Sequence, residues 1–284
     1  MLYCAHQGYD NDGNIWVNTW DGNTWYGDVE IPSAGISDSP ALAVFNGNLY
    51  CAHQGPGFKG DLLINSFDGN TWSGDQQIPS AGISCSPALA VFNGNLYCAF
   101  QGLNADGILN YVFFDGTQWS QEISVPQVKL SESPALAAFN GTLYCAHQDS
   151  ERVGNLWCAT FDGSQWQDQL LFSGVMSESP ALAEFNGALY CAYQGYTENN
   201  HMRYATFDGS TWTEDGQITE LGMSASPSLT VFENGLYFFH QGGNHDGTLW
   251  YTIRANNSFE DDVQVTTSKL SEAPAACVFP VETS

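Results

Sequence analysis

The stretch Ser39–Gly55, SPALAVFNGNLYCAHQG, decides the fold because the chain keeps repeating it. It returns as SPALAVFNGNLYCAFQG at Ser86–Gly102, SPALAAFNGTLYCAHQD at Ser133–Asp149, SPALAEFNGALYCAYQG at Ser179–Gly195 and SPSLTVFENGLYFFHQG at Ser226–Gly242. A sixth copy is divided between the chain ends, with EAPAACVF at Glu272–Phe279 and LYCAHQG at Leu2–Gly8. The Leu-Tyr pairs begin at Leu2, Leu49, Leu96, Leu143, Leu189 and Leu236, a period of 46 or 47 residues. Self-similarity at such a period marks a repeat architecture. Because the two ends complete one unit, the array is predicted to close into a ring.

Each unit reads as four β-strands. Pro40–Phe45 alternates and meets Asn46-Gly47, a dipeptide that favours a type I′ turn. Leu49–Gln54 returns antiparallel, Leu62–Phe67 follows a Gly-rich loop, Asp68-Gly69 signals a second hairpin, and Thr71–Ile78 ends the unit. The hairpin recurs as FDGSQW at Phe161–Trp166 and FDGSTW at Phe207–Trp212, and degenerates to IRANNSF at Ile253–Phe259. No segment has the 3.6-residue period of a helix. The predicted fold is therefore all-β: a six-bladed β-propeller of four-stranded antiparallel blades, closed by the N- and C-terminal strands in one blade. A solenoid would carry polar capping repeats at both ends, and the sequence has none. One domain is expected over 1–284, its last blade built from 2–31 plus 272–280.

The chain has 284 residues with 43% hydrophobic content, and 6 Lys and Arg against 31 Asp and Glu give a formal net charge of −25. Such a surface repels phosphate backbones and anionic lipid, which argues against nucleic-acid and membrane partners. No apolar run approaches the ~18–20 residues of a spanning helix. The repeat starts at Leu2 without a signal peptide, so a cytoplasmic protein is expected, or a secreted one if a leader was removed. Of eight cysteines, Cys4, Cys51, Cys98, Cys145 and Cys191 fill one repeat position that Phe238 fills in the remaining copy. A site that takes Cys or Phe is an apolar packing site, and equivalent sites in different units lie too far apart to bond. Free thiols are expected.

Trp25, Trp72, Trp119, Trp166, Trp212 and Phe259 follow the hairpin turn in every copy and are expected to pack between blades. Gln7, Gln54, Gln101, Gln148, Gln194 and Gln241 also share one position, where six identical amides would satisfy backbone groups. The third strand is more varied: Trp16, Leu63, Asn110, Trp157, Arg203 and Trp250 share a position. Variety suggests partial exposure, and an exposed Trp can stack on the apolar face of a sugar. Trp16, Trp157 and Trp250 are the candidates.

Two residues before the repeated Pro the copies read Asp38, Cys85, Glu132, Glu178, Ala225 and Glu272. The innermost strand of a propeller starts at one mouth of the channel, so these positions form a ring in which Glu132 and Glu178 oppose Glu272 and Asp38. The second strand returns toward the same mouth with His6, His53, Phe100, His147, Tyr193 and His240. Counting back from the turn puts His53 opposite Pro40, so Asp38 and His53 share a sheet face, as do Glu132 with His147 and Glu272 with His6; the six second-strand residues are candidate ligand contacts at the mouth. Two like charges ~5 Å apart repel by about 3 kcal/mol at an effective dielectric near 20. A divalent cation, Ca²⁺ or Mg²⁺, held by Asp38, Glu132, Glu178 and Glu272 would relieve this. A wide, water-filled mouth whose acids never meet is the other reading.

With SPALAVFNG-LYCAHQG and W--FDG--W, the whole chain resembles the tandem-repeat β-propeller lectins of fungi and bacteria. The resemblance implies a non-enzymatic, multivalent carbohydrate-binding protein with a glycan partner. Members that bind fucose do so between blades, commonly with an Arg, an acid and a Trp; here Arg152, Arg203 and Arg254 do not share a repeat position. The FDG--W turn is also similar to the Asp-box of sialidases, one residue short, and three scattered arginines do not make the sialidase cluster. The alternative function is binding of one small molecule or pigment, with or without a metal, at the channel mouth.

Overall fold

Asn46 and Gly47 have φ of 48° and 78°, the two left-handed residues that a type I′ turn requires. They join Ala41–Phe45 to Asn48–Gln54 in antiparallel register, with Ala41 opposite Ala52. In the second hairpin the Asp68 carboxylate accepts the backbone N–H of Asn70 and Thr71, and Asp21, Asp115, Asp162 and Asp208 do the same in their own turns. Hydroxyl donors from Tyr26, Thr117 and Ser210 on Asp21, Asp115 and Asp208, and these backbone contacts foremost on Asp68 and Asp162, hold all five carboxyls below the usual range.

The computed structural model describes residues 1–103, 106–196 and 200–280. Blade 1 is Ala41–Phe45, Asn48–Gln54, Asp61–Phe67 and Gln76–Gly82, and blade 2 is Ala88–Phe92, Asn95–Gln101, Ile108–Phe114 and Ile123–Lys129. Blade 3 is Ala135–Phe139, Thr142–Gln148, Leu156–Phe161 and Trp166–Phe172, and blade 4 is Ala181–Phe185, Ala188–Gln194, His201–Phe207 and Trp212–Gly222. In blade 5, Ser228–Phe232 and Gly235–Gln241 precede Thr248–Ala255, which pairs with both Ser258–Phe259 and Val263–Lys269. Blade 6 joins the C-terminal Ala275–Val278 to Leu2–Gln7, Asn14–Trp20 and Val29–Gly35, with Leu2 opposite Val278 and Ala5 opposite Ala275. The inner strands neighbour one another in chain order, and the last lies against the first. The ring is closed as the divided repeat implies. Among the described residues, helix is limited to two 3₁₀ turns, Tyr9–Asn11 and Gly243–His245, and no helix is long and apolar enough to cross a membrane.

The outer strand differs from expectation. In blade 1 it runs Gln76–Gly82 rather than Thr71–Ile78, and Trp72 makes only an isolated bridge to Phe67. Gly74, at φ 79°, breaks the strand and lets Asp75 turn toward the blade face. In blade 6 the outer strand extends past residue 31, to Gly35.

The core lies between blades. Leu109, Tyr111 and Val125 of blade 2, for instance, pack with Leu136, Leu143, Ala159 and Phe161 of blade 3. The aromatics after the hairpin bridge the joints: Trp25 lies 6.0 Å from Phe239 and Tyr251, Trp166 lies 5.8 Å from Tyr111, and Phe259 lies 5.3 Å from Tyr204. The repeated cysteines and Phe238 are fully buried, and all eight thiols are free. Each repeated Gln donates its side-chain amide to a carbonyl in the segment leading to the next blade, as Gln54 does to Ile83 (3.0 Å) and Gln101 to Leu130 (2.9 Å).

Candidate functional site

Second- and third-strand positions meet directly across the ladder: His6 with Trp16, His53 with Leu63, Phe100 with Asn110, His147 with Trp157, Tyr193 with Arg203, and His240 with Trp250. Opposed residues project to the same side of a sheet, here the side facing the preceding blade. Phe100 packs with blade 1 and Tyr193 with blade 3. This corrects the placement of His6, His53, Phe100, His147, Tyr193 and His240 at the channel mouth. All six are at most 3% exposed, and none lines the mouth cavity. The carboxylate–His pairs expected at the mouth do not form. A blade presents its faces to its neighbours, and the mouth is lined by the start of each inner strand and the segment before it.

The buried histidines meet other acids. Nε2 of His6 lies 3.2 Å from Asp28, and those of His53, His147 and His240 lie 3.1 Å from Asp75, Asp168 and Asp262. Each Nδ1 faces the carbonyl of the following Gln at 3.1–3.4 Å. Each ring is thus held at both nitrogens, by a carboxylate on one side and a backbone carbonyl on the other. Blade 4 substitutes Arg203, whose Nη2 lies 2.9 Å from Glu214, with Tyr193 Oη donating to the same carboxylate at 3.5 Å. In blade 2 the Asn110 amide donates to Glu122 at 3.1 Å. An acid therefore stands at this place in all six blades, a feature the sequence reading missed. Its signal is a carboxylate three residues after the hairpin aromatic (Asp28, Asp75, Glu122, Asp262) or two (Asp168, Glu214).

The six joints are not equally open. Asp75 accepts the Gly35 N–H (3.1 Å), Glu122 the Gly82 N–H (3.0 Å) and Asp28 the Ser268 hydroxyl (2.6 Å), each a tie to the preceding blade. Among the described residues no hydrogen bond ties Asp168, Glu214 or Asp262 in this way. Between blades 4 and 5 a cavity of about 430 Å³ remains, within the ~300–1,000 Å³ range of small-molecule sites. Asn200, Gly222 and Met223 line one side, and His240, Asn244, Asp246, Trp250 and Asp262 the other. The half-buried Trp250 is fixed by its Nε1–H, which donates to Thr248 Oγ1 at 2.7 Å. Of the other two stacking candidates, half-buried Trp16 donates to Asp12 at 2.9 Å, and the indole N–H of Trp157 is buried without a partner.

The mouth itself is a second cavity, of about 520 Å³, lined where all six inner strands begin. Asp38, Glu132, Glu178 and Glu272 all line it. Burial raises all four carboxyls, Glu272 to about 7 with further pressure from Asp38 and Glu178. Arg152 Nη2 lies 2.9 Å from Glu132 and opposes its shift. Among the described residues, no three His, Cys, Asp or Glu side chains come close enough together to hold a metal ion. The four acids share a wall without gathering into a coordination sphere.

No family model and no curated protein matches the chain. Solved structures do match its fold. A lectin from Aleuria aurantia in complex with Fucα1-6GlcNAc is 15% identical with a TM-score of 0.65, over 91% of this chain and 90% of that one. The fold of that lectin is described as a six-bladed β-propeller. AofleA from Arthrobotrys oligospora is 15% identical with a TM-score of 0.71, over 96% and 85%. An α-L-arabinofuranosidase from Clostridium thermocellum also matches, at 14% identity and a TM-score of 0.56, over 81% and 94%.

Proposed function

We propose that the chain is a non-enzymatic carbohydrate-binding propeller whose best-formed sugar site is the groove between blades 4 and 5. The observation that carries this reading is a half-buried, hydrogen-bonded Trp250 beside the His240–Asp262 pair in an open cavity. An indole face covers the C–H surface of a sugar ring, and a fixed carboxylate and amide orient its hydroxyls. The Aleuria aurantia lectin in the comparison carries a fucosylated ligand, which supports a glycan partner.

A glycosidase is less consistent with the groove. Hydrolysis needs two available carboxyls flanking the bond. Here Asp262 is engaged by His240 and Asp246 by the N–H and hydroxyl of Thr248. Arg203 and Glu214, between blades 3 and 4, supply the arginine and acid that the lectin resemblance implies, and form the second candidate site.

A glycan array with the full chain, followed by calorimetry on the best hit, tests this. Trp250→Ala should weaken retention about tenfold, the scale of a lost aromatic contact of ~1.4 kcal/mol. Asp262→Asn should weaken it further while the variants still melt near the parent. An array at background, or full retention by both variants, rejects the reading.

A further inference from the structure

The entrance to the groove between blades 4 and 5 differs from its counterparts at one pair of positions. The residue after the repeated Gly stands at the rim of each joint, and three copies place a large side chain there: Tyr9, Leu103 and Tyr196. Each packs across its joint on a glycine of the preceding blade, Gly247, Gly60 and Gly154 respectively. These glycines have φ of 72°, 84° and 84°, and a Cβ on any of them would collide with the side chain above it, at 2.8 Å in the case of Gly154 and Tyr196. The Lys269 ammonium of blade 5 lies 5.1 Å from the Tyr9 ring centre and holds that cap further. Between blades 4 and 5 the sizes are exchanged. The cap is Gly243, the seat is Asn200 with φ 47°, and both line the open groove. A Cβ on Gly243 would stand 3.1 Å from the Gly222 carbonyl oxygen of the facing blade, so any side chain there must enter the joint.

Behind Tyr9, the joint between blades 5 and 6 has the same groups as the sugar groove. His6 pairs with Asp28 as His240 does with Asp262, and half-buried Trp16 stands opposite His6 as Trp250 stands opposite His240. His6 and Ser268 both meet Asp28 at Oδ1, which leaves Oδ2 for a ligand hydroxyl. The two joints therefore share their polar chemistry and differ in the side chain that crosses the entrance. We infer that the residue after the repeated Gly gates entry to its joint. Gly243 admits a sugar between blades 4 and 5, and Tyr9 excludes it from a competent site built of His6, Asp28 and Trp16. Such steric exclusion sets specificity without altering the contacts behind it. The sugar as ligand rests on the reading proposed above; the gate itself does not.

The test exchanges the two pairs in the full chain. Asn200→Gly with Gly243→Leu rebuilds between blades 4 and 5 the contact of Leu103 on Gly60, and Gly222 already stands where Gly82 stands beside Leu103. Tyr9→Gly with Gly247→Asn rebuilds the open pair between blades 5 and 6. In calorimetry with the best glycan of the array, the first exchange should weaken the groove at least tenfold, and the second should add one site per chain. A second readout needs no glycan. Oxidation by N-bromosuccinimide, mapped by mass spectrometry, should slow several-fold at Trp250 in the first exchange and quicken at Trp16 in the second, each leaving the other Trp unchanged. Gly243→Leu alone and Tyr9→Gly alone should shift both readouts in the same directions and cover an exchange that folds poorly. An array at background with these oxidation changes present would reject the sugar and keep the gate. Unchanged oxidation of Trp250 behind the new cap, or unchanged glycan affinity, would overturn the gate, and no added site after removal of Tyr9 would overturn the competence of the joint behind it.

Discussion

Replacing Phe279 by Ala asks how tightly the ring is closed. Phe279 is 4% exposed, lies 5.8 Å from the rings of Tyr3 and Phe67, and donates its backbone N–H to Met1 at 3.0 Å. It occupies the repeat position of Phe45, Phe92, Phe139, Phe185 and Phe232. Truncating a buried Phe to Ala costs about 3–5 kcal/mol. For a chain of this length each kcal/mol moves the melting point by about 2 °C, so a fall of roughly 6–10 °C is expected. The control is Phe185→Ala, at the equivalent place in blade 4, where the ring is 7% exposed and the chain is continuous on both sides. The two variants should melt within a few degrees of each other, because the C-terminal strand is packed as an interior strand despite its position. Melting curves by circular dichroism suffice. If Phe279→Ala melts like the parent while Phe185→Ala falls, the terminal strand frays in solution and the closure inferred from the divided repeat is wrong.

Two further outcomes follow from the same packing. Thiol titration of denatured, unreduced protein should find all eight cysteines free, while native protein at pH 8 should label slowly, since burial raises Cys85 to about 12 and Cys277 to about 11; one rapidly labelled native thiol would show that a blade joint opens. Glu272 is raised from 4.5 to about 7 in the folded chain, so folded protein binds this proton more tightly and its contribution to stability declines as pH rises from about 4.5 through about 7. Glu272→Gln should therefore match the parent near pH 4.5 and melt a few degrees higher at pH 8, solvent in the mouth limiting the gap. A gap that widens toward acid pH refutes this assignment.

The strands and the ring were legible because their causes are local and repeated. Asn-Gly and Asp-Gly turns set both hairpins, and the divided sixth copy set the closure. The count that put His53 opposite Pro40 was also sound, since Ala41 does face Ala52. What failed was the step from register to direction. Residues opposed in a ladder share a face, and this face of a blade looks at the preceding blade rather than at the axis. Asp38 reaches the channel because it precedes the strand, whereas His53 lies inside its own strand and reaches Asp75 instead. The partner acids escaped notice because their column slips by one residue in blades 3 and 4, where Asp168 and Glu214 follow the hairpin aromatic by two places.

The openness of a joint has no signature within a single repeat. It depends on whether an acid is taken up by the neighbouring blade, as Gly35 takes Asp75 and Gly82 takes Glu122. Those ties use backbone N–H groups, which every residue but proline carries, so no side-chain motif announces them. Two joints with nearly the same residues can then differ in openness. His53 and Asp75 repeat the His240 and Asp262 arrangement, yet the former acid also clamps a backbone and faces Leu63, while the latter stands beside Trp250 in a cavity. Sixfold repetition therefore supplies the scaffold, and the choice of residue at this one third-strand position, Leu63 in blade 1 against Trp250 in blade 5, together with the neighbouring blade's backbone ties, sets how open each joint is.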